Sequence, residues 1–188
     1  MPYWIDKRIV ELQIPKTGSS WRVNQYQHLG IEAETKGPRH SPEWKEWIRY
    51  PATDVVTFVR HPLTWLASRF SQKGVEDELQ EMAEYFSGTE PFADFVDCYL
   101  RHKPGAVGRI MSEYTENATM VYRFENLYAD FRKLCVKVTS PIHLDRIRED
   151  ETVGPSPINR YRDVEQMASV CDAEAEHISQ WYGMGCAT

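Results

Sequence analysis

Residues 8–21 read Arg8-Ile9-Val10-Glu11-Leu12-Gln13-Ile14-Pro15-Lys16-Thr17-Gly18-Ser19-Ser20-Trp21, and this stretch decides the fold. Arg8 to Ile14 has the β-branched content of a short buried strand. Pro15 to Ser20 is a small-residue turn, and a helix is expected from Ser19 to about Leu29, stopped by Gly30. A strand that turns sharply into a helix builds an anion site, because the first helical N–H groups have no intrahelical acceptor and carry the positive end of the macrodipole. The pattern recurs downstream. Asp54 to Val59 (DVVTFV) is nearly all apolar, as suits a parallel strand covered on both faces, and Arg60-His61-Pro62 follows it and opens a second helix, which carries Ser68. Two such junctions in one chain imply a ligand with phosphate groups at both ends.

The rest of the chain continues the alternation. Ser41-Pro42 suits the N-cap and first position of a helix through Tyr50. The helix from Pro62 is expected to reach about Gly74. Val75 to Ser87, Phe92 to His102 and Val107 to Thr115 read as helices, with Pro91, Pro104 and Gly105 between them. Thr119 to Phe124 reads as a third strand, followed by a helix from about Glu125 to Val136. Pro141 to Ile158 is loop-rich, and Asp163 to Tyr182 reads as one closing helix stopped by Gly183. Strands alternating with helices predict one α/β domain over residues 1–188, a parallel sheet with flanking helices.

The 188 residues are enough to bury a core unaided. A net charge of −6 argues against nucleic acid as a partner, since that role usually shows a basic excess. No apolar stretch approaches a membrane span, and the N-terminus lacks the apolar run of a signal peptide, so a cytoplasmic protein is expected. Cys98, Cys135, Cys171 and Cys186 show no metal-binding spacing, so no metal is expected and four reduced thiols are.

In the first turn, Gly18 lets a backbone approach an anion, Ser19 and Ser20 offer hydroxyls and amides, Lys16 brings a mobile charge, and Trp21 offers a flat apolar face for a base. The lysine precedes the glycine, so the loop is not the GxxxxGK[ST] of ATP-binding proteins. In the second helix Leu63, Leu66, Ala67 and Phe70 repeat at core spacing. His61, Thr64 and Ser68 fall on another face at ~100° per residue. Arg60 and Ser68 are thereby placed to flank one phosphate.

PKTGSSW resembles the PKxGTTW-type 5′-phosphosulfate loop of the sulfotransferases. VRHPLTWLASRF, with Arg60 and Ser68, resembles that family's 3′-phosphate motif. Val121 to Leu127 (VYRFENL) resembles its later strand–helix junction, and Asn159 to Tyr182 more weakly its C-terminal region. The nearest members are the carbohydrate-type and small bacterial or viral ones. The resemblance implies an α/β fold related to nucleotide kinases, the donor 3′-phosphoadenosine 5′-phosphosulfate with product 3′-phosphoadenosine 5′-phosphate, and no metal. It implies that Lys16, Thr17, Gly18, Ser19, Ser20, Trp21, Arg60 and Ser68 hold the nucleotide. His61 stands where Asn or Asp is usual. An Arg-Lys-Gly element that grips the 3′-phosphate in some members has no clear match, with Arg160 or Arg162 as candidate substitutes.

Sulfonyl transfer needs a base as well as charge on the leaving oxygens, and Lys16 supplies the charge. His28 ends a helix, and His102 and His177 read as solvated. His40 lies on a loop before a helix start, between the two phosphate motifs. It resembles the histidine of the KH(S/T)P motif in carbohydrate-type members, and is the expected base, with Glu11, Glu32 and Glu34 as alternatives. The acceptor, a hydroxyl or amine on a small molecule or glycan, is not specified, nor is an oligomeric state. Two other readings stay open: a P-loop nucleotide kinase using ATP and Mg²⁺, and a non-catalytic binder of 3′-phosphoadenosine 5′-phosphate.

Overall fold

The computed structural model describes residues 2–5, 8–35, 54–70, 79, 91–138, 144–147 and 160–183. The expected helix over residues 42–50, all of the one over 75–87 but residue 79, and His40 lie outside them. The chain divides into two compact units, Met1–Val59 with Tyr114–Val153 and Arg60–Glu113 with Gly154–Thr188.

The first unit holds a five-stranded sheet in the order β3-β1-β2-β4-β5. Its strands are β1 (Pro2–Ile5), β2 (Ile9–Leu12), β3 (Ala33–Thr35), β4 (Asp54–Val59) and β5 (Met120–Arg123). The α/β class is as expected, with β2, β4 and β5 running parallel. β1 was not anticipated from the sequence; it pairs antiparallel with β2 and with β3, making the sheet mixed. At four and three residues, β1 and β3 are too short to show a period.

Helix α1 (Ser19–His28) follows β2, and α5 (Leu127–Lys137) follows β5 through a 3₁₀ turn at Phe124–Asn126. Ile9, Glu11, Val56 and Phe58 alternate along β2 and β4, and the paired register puts Glu11 opposite Val56 on one face. Ile9, Val56 and Phe58 join Trp21 and Tyr26 of α1 and Phe131 and Leu134 of α5 in a single apolar core. The intervening Val10, Leu12, Val55, Thr57 and Val59 are also buried, which fits strands covered on both faces. Thr119 fixes the β5 register: its hydroxyl accepts from the Val55 amide at 3.0 Å, and its amide donates to the Val55 carbonyl at 2.8 Å.

The second unit is helical: α2 (Pro62–Phe70), α3 (Phe92–His102), most of α4 (Ala106–Thr115), α6 (Val164–Ala173) and α7 (Ala175–Tyr182). Phe92 is the hub of an aromatic group, meeting Tyr161 edge-on at 5.0 Å and Phe70 at 5.4 Å. The expected closing helix over 163–182 is two helices, α6 and α7, interrupted at Glu174 (φ −111°, ψ 18°). Glu174 leaves the helical path while its carboxylate accepts from the Tyr99 hydroxyl and from the amides of Val107 and Gly108 at the start of α4. Cys98 and Cys135 are free, but Cys171 is disulfide-bonded, which corrects the expectation of four reduced thiols. Among the described residues no helix is long and apolar enough to cross a membrane, and no group of His, Cys, Asp and Glu could hold a metal ion.

Candidate functional site

The turn between β2 and α1 is held in an unusual backbone path. Lys16 sits at φ 65°, and it is the one residue with positive φ that is not glycine among the described residues. For an L-residue this costs about 1–2 kcal/mol. Gly18 follows at φ 79° and is the N-cap of α1. A Cβ there would stand 3.0 Å from Leu127 Cδ2 and 3.0 Å from Phe124 Cε2, so packing as well as conformation demands glycine. Having no side chain, Gly18 caps none of the amides of Ser19, Ser20 and Trp21. Ser20 is exposed, and Lys16 and Ser19 are half-buried. The Thr17 hydroxyl is spent within the turn, donating to the Ile14 carbonyl at 2.8 Å, and the residue is fully buried.

Behind the turn lies a charged group the sequence reading did not find. Arg22 Nε donates to Glu11 Oε1 at 2.8 Å and its Nη2 is 2.7 Å from the same oxygen, with both side chains fully buried. Arg22 Nη1 donates to the Thr17 carbonyl, and the guanidinium lies 4.0 Å above the Phe58 ring centroid. The Tyr26 hydroxyl donates to Glu11 Oε2 at 2.5 Å; burial first, then the Glu11 charge, holds that phenol well above its ordinary pKa. Arg22 stands eleven residues from Glu11, and only the register of β2 against α1 makes them partners.

Two expectations fail here. Trp21 does not offer its face to a base: it is 3% exposed and meets Phe131 edge-on at 5.1 Å. Its apolar ring is worth more in the core than on a loop. Glu11 is not an available base, since both carboxylate oxygens are engaged by Arg22 and Tyr26 away from solvent. Glu32 and Glu34 are exposed.

Within the second unit, Arg60 is 9% exposed and its Nε donates to Thr64 Oγ1 at 3.1 Å. That hydroxyl in turn donates to the His61 carbonyl at 3.0 Å, so the first turn of α2 fixes the arginine stem. His61 Nδ1 accepts from the Leu63 amide at 3.3 Å and its ring meets Tyr182 edge-on at 5.1 Å. Ser68 lies half-buried two turns into α2. The two candidate arginines separate clearly. Arg162 is taken by Asp97 at 2.7 Å, whereas the exposed Arg160 reaches the Ala67 carbonyl at 3.5 Å, beside Ser68.

His102 is exposed, as expected, and His28 ends α1 and is exposed too. His177 is the correction: it is 3% exposed, because α7 turns this side toward Gly108, where a Cβ would come within 3.1 Å of His177 Cβ. Burial holds its pKa down to about 4, against a smaller upward pull from the Arg60 backbone.

No protein-family model, curated protein or solved structure matches this chain.

Proposed function

We propose that this chain is a sulfotransferase that moves a sulfonyl group from 3′-phosphoadenosine 5′-phosphosulfate to an acceptor hydroxyl or amine, on the P-loop-kinase-like fold its motifs suggest. The observation that carries the reading is Lys16 at φ 65° two residues before Gly18 at φ 79°, in a tightly packed, partly exposed turn that opens a helix whose N-cap has no side chain. Strain of that kind persists where the surroundings over-determine it, and it clusters at ligand sites. The parallel pairing of β2 with β4 sets their carboxyl ends at one sheet edge, where α/β folds bind ligands. Pro15 to Ser20 continues from the first of these strands.

In this reading the amides of Gly18, Ser19 and Ser20 hold the 5′-phosphosulfate, and Arg60 with Ser68 holds the 3′-phosphate. A base, for which His40 is the candidate, takes the acceptor proton as the acceptor oxygen or nitrogen attacks sulfur. The bond from sulfur to the bridging oxygen breaks, and its electron pair leaves on the 5′-phosphate, where Lys16 offsets the growing charge. Positioning and electrostatics do the work, as in phosphoryl transfer.

Titration with 3′-phosphoadenosine 5′-phosphate, with adenosine 5′-phosphate as control, tests the site. Release of the desulfonated nucleotide in the presence of acceptors, without Mg²⁺, tests the reaction. Tight binding without turnover would leave a nucleotide binder, and ATP turnover that depends on Mg²⁺ would make the protein a kinase.

A further inference from the structure

We infer that Arg22 is a positioning residue for the phosphate loop, aiming the Gly18 amide at the anion; this rests on the proposed nucleotide site. The guanidinium divides its donors. Nε and Nη2 face Glu11, while Nη1 takes the Thr17 carbonyl, the oxygen of the peptide that leads into Gly18, between the two positive-φ residues Lys16 and Gly18. In a trans peptide the carbonyl and the following N–H point in opposite directions. No peptide bond among the described residues is cis. Drawing the Thr17 oxygen toward the buried guanidinium therefore turns the Gly18 N–H away from it, out of the core. Without this bond the Thr17–Gly18 peptide has less to stop it from flipping, since glycine tolerates either orientation.

The remaining parts of the network fix the guanidinium itself. Glu11 is anchored on the inner face of β2, Tyr26 holds its second oxygen at 2.5 Å, and Phe58 stacks below the guanidinium at 4.0 Å. A lysine at position 22 would keep the charge opposite Glu11 but lose the planar fork that serves two acceptors at once. The pair thus has a use beyond holding β2 to α1: it transmits the rigidity of the sheet to a loop amide.

The test compares Arg22→Lys with Tyr26→Phe, which loosens Glu11 without touching Thr17. Amide order parameters over residues 16–20 are measured on ligand-free protein, and affinity for 3′-phosphoadenosine 5′-phosphate is measured by calorimetry. In Arg22→Lys the Gly18 order parameter should fall from the rigid value of about 0.85 to below about 0.6, and affinity should drop roughly ten-fold or more. Tyr26→Phe should lower both by less than Arg22→Lys, since Nη1 keeps the Thr17 carbonyl. If Arg22→Lys does not fold, the double variant Glu11→Gln with Arg22→Met replaces the pair by groups of similar size, still lacks the Thr17 bond, and should show the same loss of order. A Gly18 amide as rigid in these variants as in wild type overturns the positioning role. Wild-type protein that binds no nucleotide, while Gly18 still loosens in Arg22→Lys, overturns the nucleotide reading and leaves the loop-holding role intact.

Discussion

The Gly108 amide donates to Glu174 Oε2 at 2.6 Å, and a Cβ on Gly108 would stand 2.9 Å from that same oxygen. With the Val107 amide donating to Oε1 at 3.1 Å, a carboxylate from the break between α6 and α7 caps the N-terminus of α4, sixty-odd residues earlier in the chain. Negative charge is favoured at that end of a helix. The same contact explains why the expected single closing helix is divided.

The first prediction follows from that fit. Gly108→Ala improves helix propensity by about 0.8–1 kcal/mol, yet it should be net destabilising, because the methyl group must displace a buried carboxylate and the His177 Cβ at 3.1 Å. Overpacking costs typically about 1–3 kcal/mol. Denaturant unfolding should show a lower midpoint with an unchanged slope. A variant more stable than wild type would mean that Glu174 moves aside freely.

Lys16 should separate stability from activity. Lys16→Gly removes the cost of an L-residue at φ 65°, so it should be neutral or stabilising by up to about 1 kcal/mol. Under the proposed sulfonyl transfer it also removes the ammonium assigned to offset charge on the leaving phosphate, so kcat should fall far more than affinity for product nucleotide. Lys16→Arg should restore little activity, since a planar fork is a poor replacement for a compact charge. If Lys16→Gly lowers affinity but keeps kcat, the lysine binds and does not assist the chemistry.

The fold was legible wherever chemistry was local. DVVTFV coincides with β4, and the α1 boundaries follow from Gly18 and Gly30. The helical spacing of Phe92, Phe95 and Tyr99 gives α3 and its buried face. Where distant residues decide, the sequence misleads. Trp21 looks like a binding aromatic until Phe131, more than a hundred residues later, covers it. His177 looks solvated until Gly108 makes room for it. Arg22 and Glu11 carry no local mark of being partners, because the pairing depends on how α1 lies over β2. The residues of the proposed site, Lys16, Gly18, Arg60 and Ser68, come from motif chemistry alone, while Thr64, whose hydroxyl accepts from Arg60, was noted only as sharing a face with Ser68.

Arg60 should act on one end of the ligand. Loss of hydrogen bonds to a charged group costs about 1.5–3 kcal/mol, so Arg60→Ala should weaken 3′-phosphoadenosine 5′-phosphate binding roughly ten-fold to over a hundred-fold. Adenosine 5′-phosphate, which lacks the 3′ group, should be affected much less. Thr64→Val, which frees the arginine stem by removing the 3.1 Å bond, should give a smaller loss with the same selectivity. Calorimetric titration of both ligands checks this. Equal weakening for the two ligands would remove Arg60 from the 3′ position.

The last prediction concerns acid stability. His177 is buried, faces the Arg60 backbone, the His61 ring and Tyr182 at 6.2 Å, and has its pKa held down to about 4 from an ordinary 6.5. Between those values the unfolded chain binds a proton that the folded chain refuses, so the unfolded state holds more protons and stability falls as pH drops through this window. The contribution is present above pH 6.5 and is lost toward pH 4, amounting to about 3 kcal/mol over the full range. Glu174 has the opposite sign. Burial raises its pKa, so its contribution is lost as pH rises above the ordinary carboxylate value, and it partly masks the histidine in wild-type protein. Subtracting a variant separates the two. His177→Leu keeps an apolar group of similar size against Gly108 and Tyr182 and cannot be protonated. Urea unfolding at pH 7 and pH 4.5 should show wild type losing about 2–3 kcal/mol more than His177→Leu between the two conditions. An equal loss in both proteins would show that His177 takes up its proton without disturbing the fold.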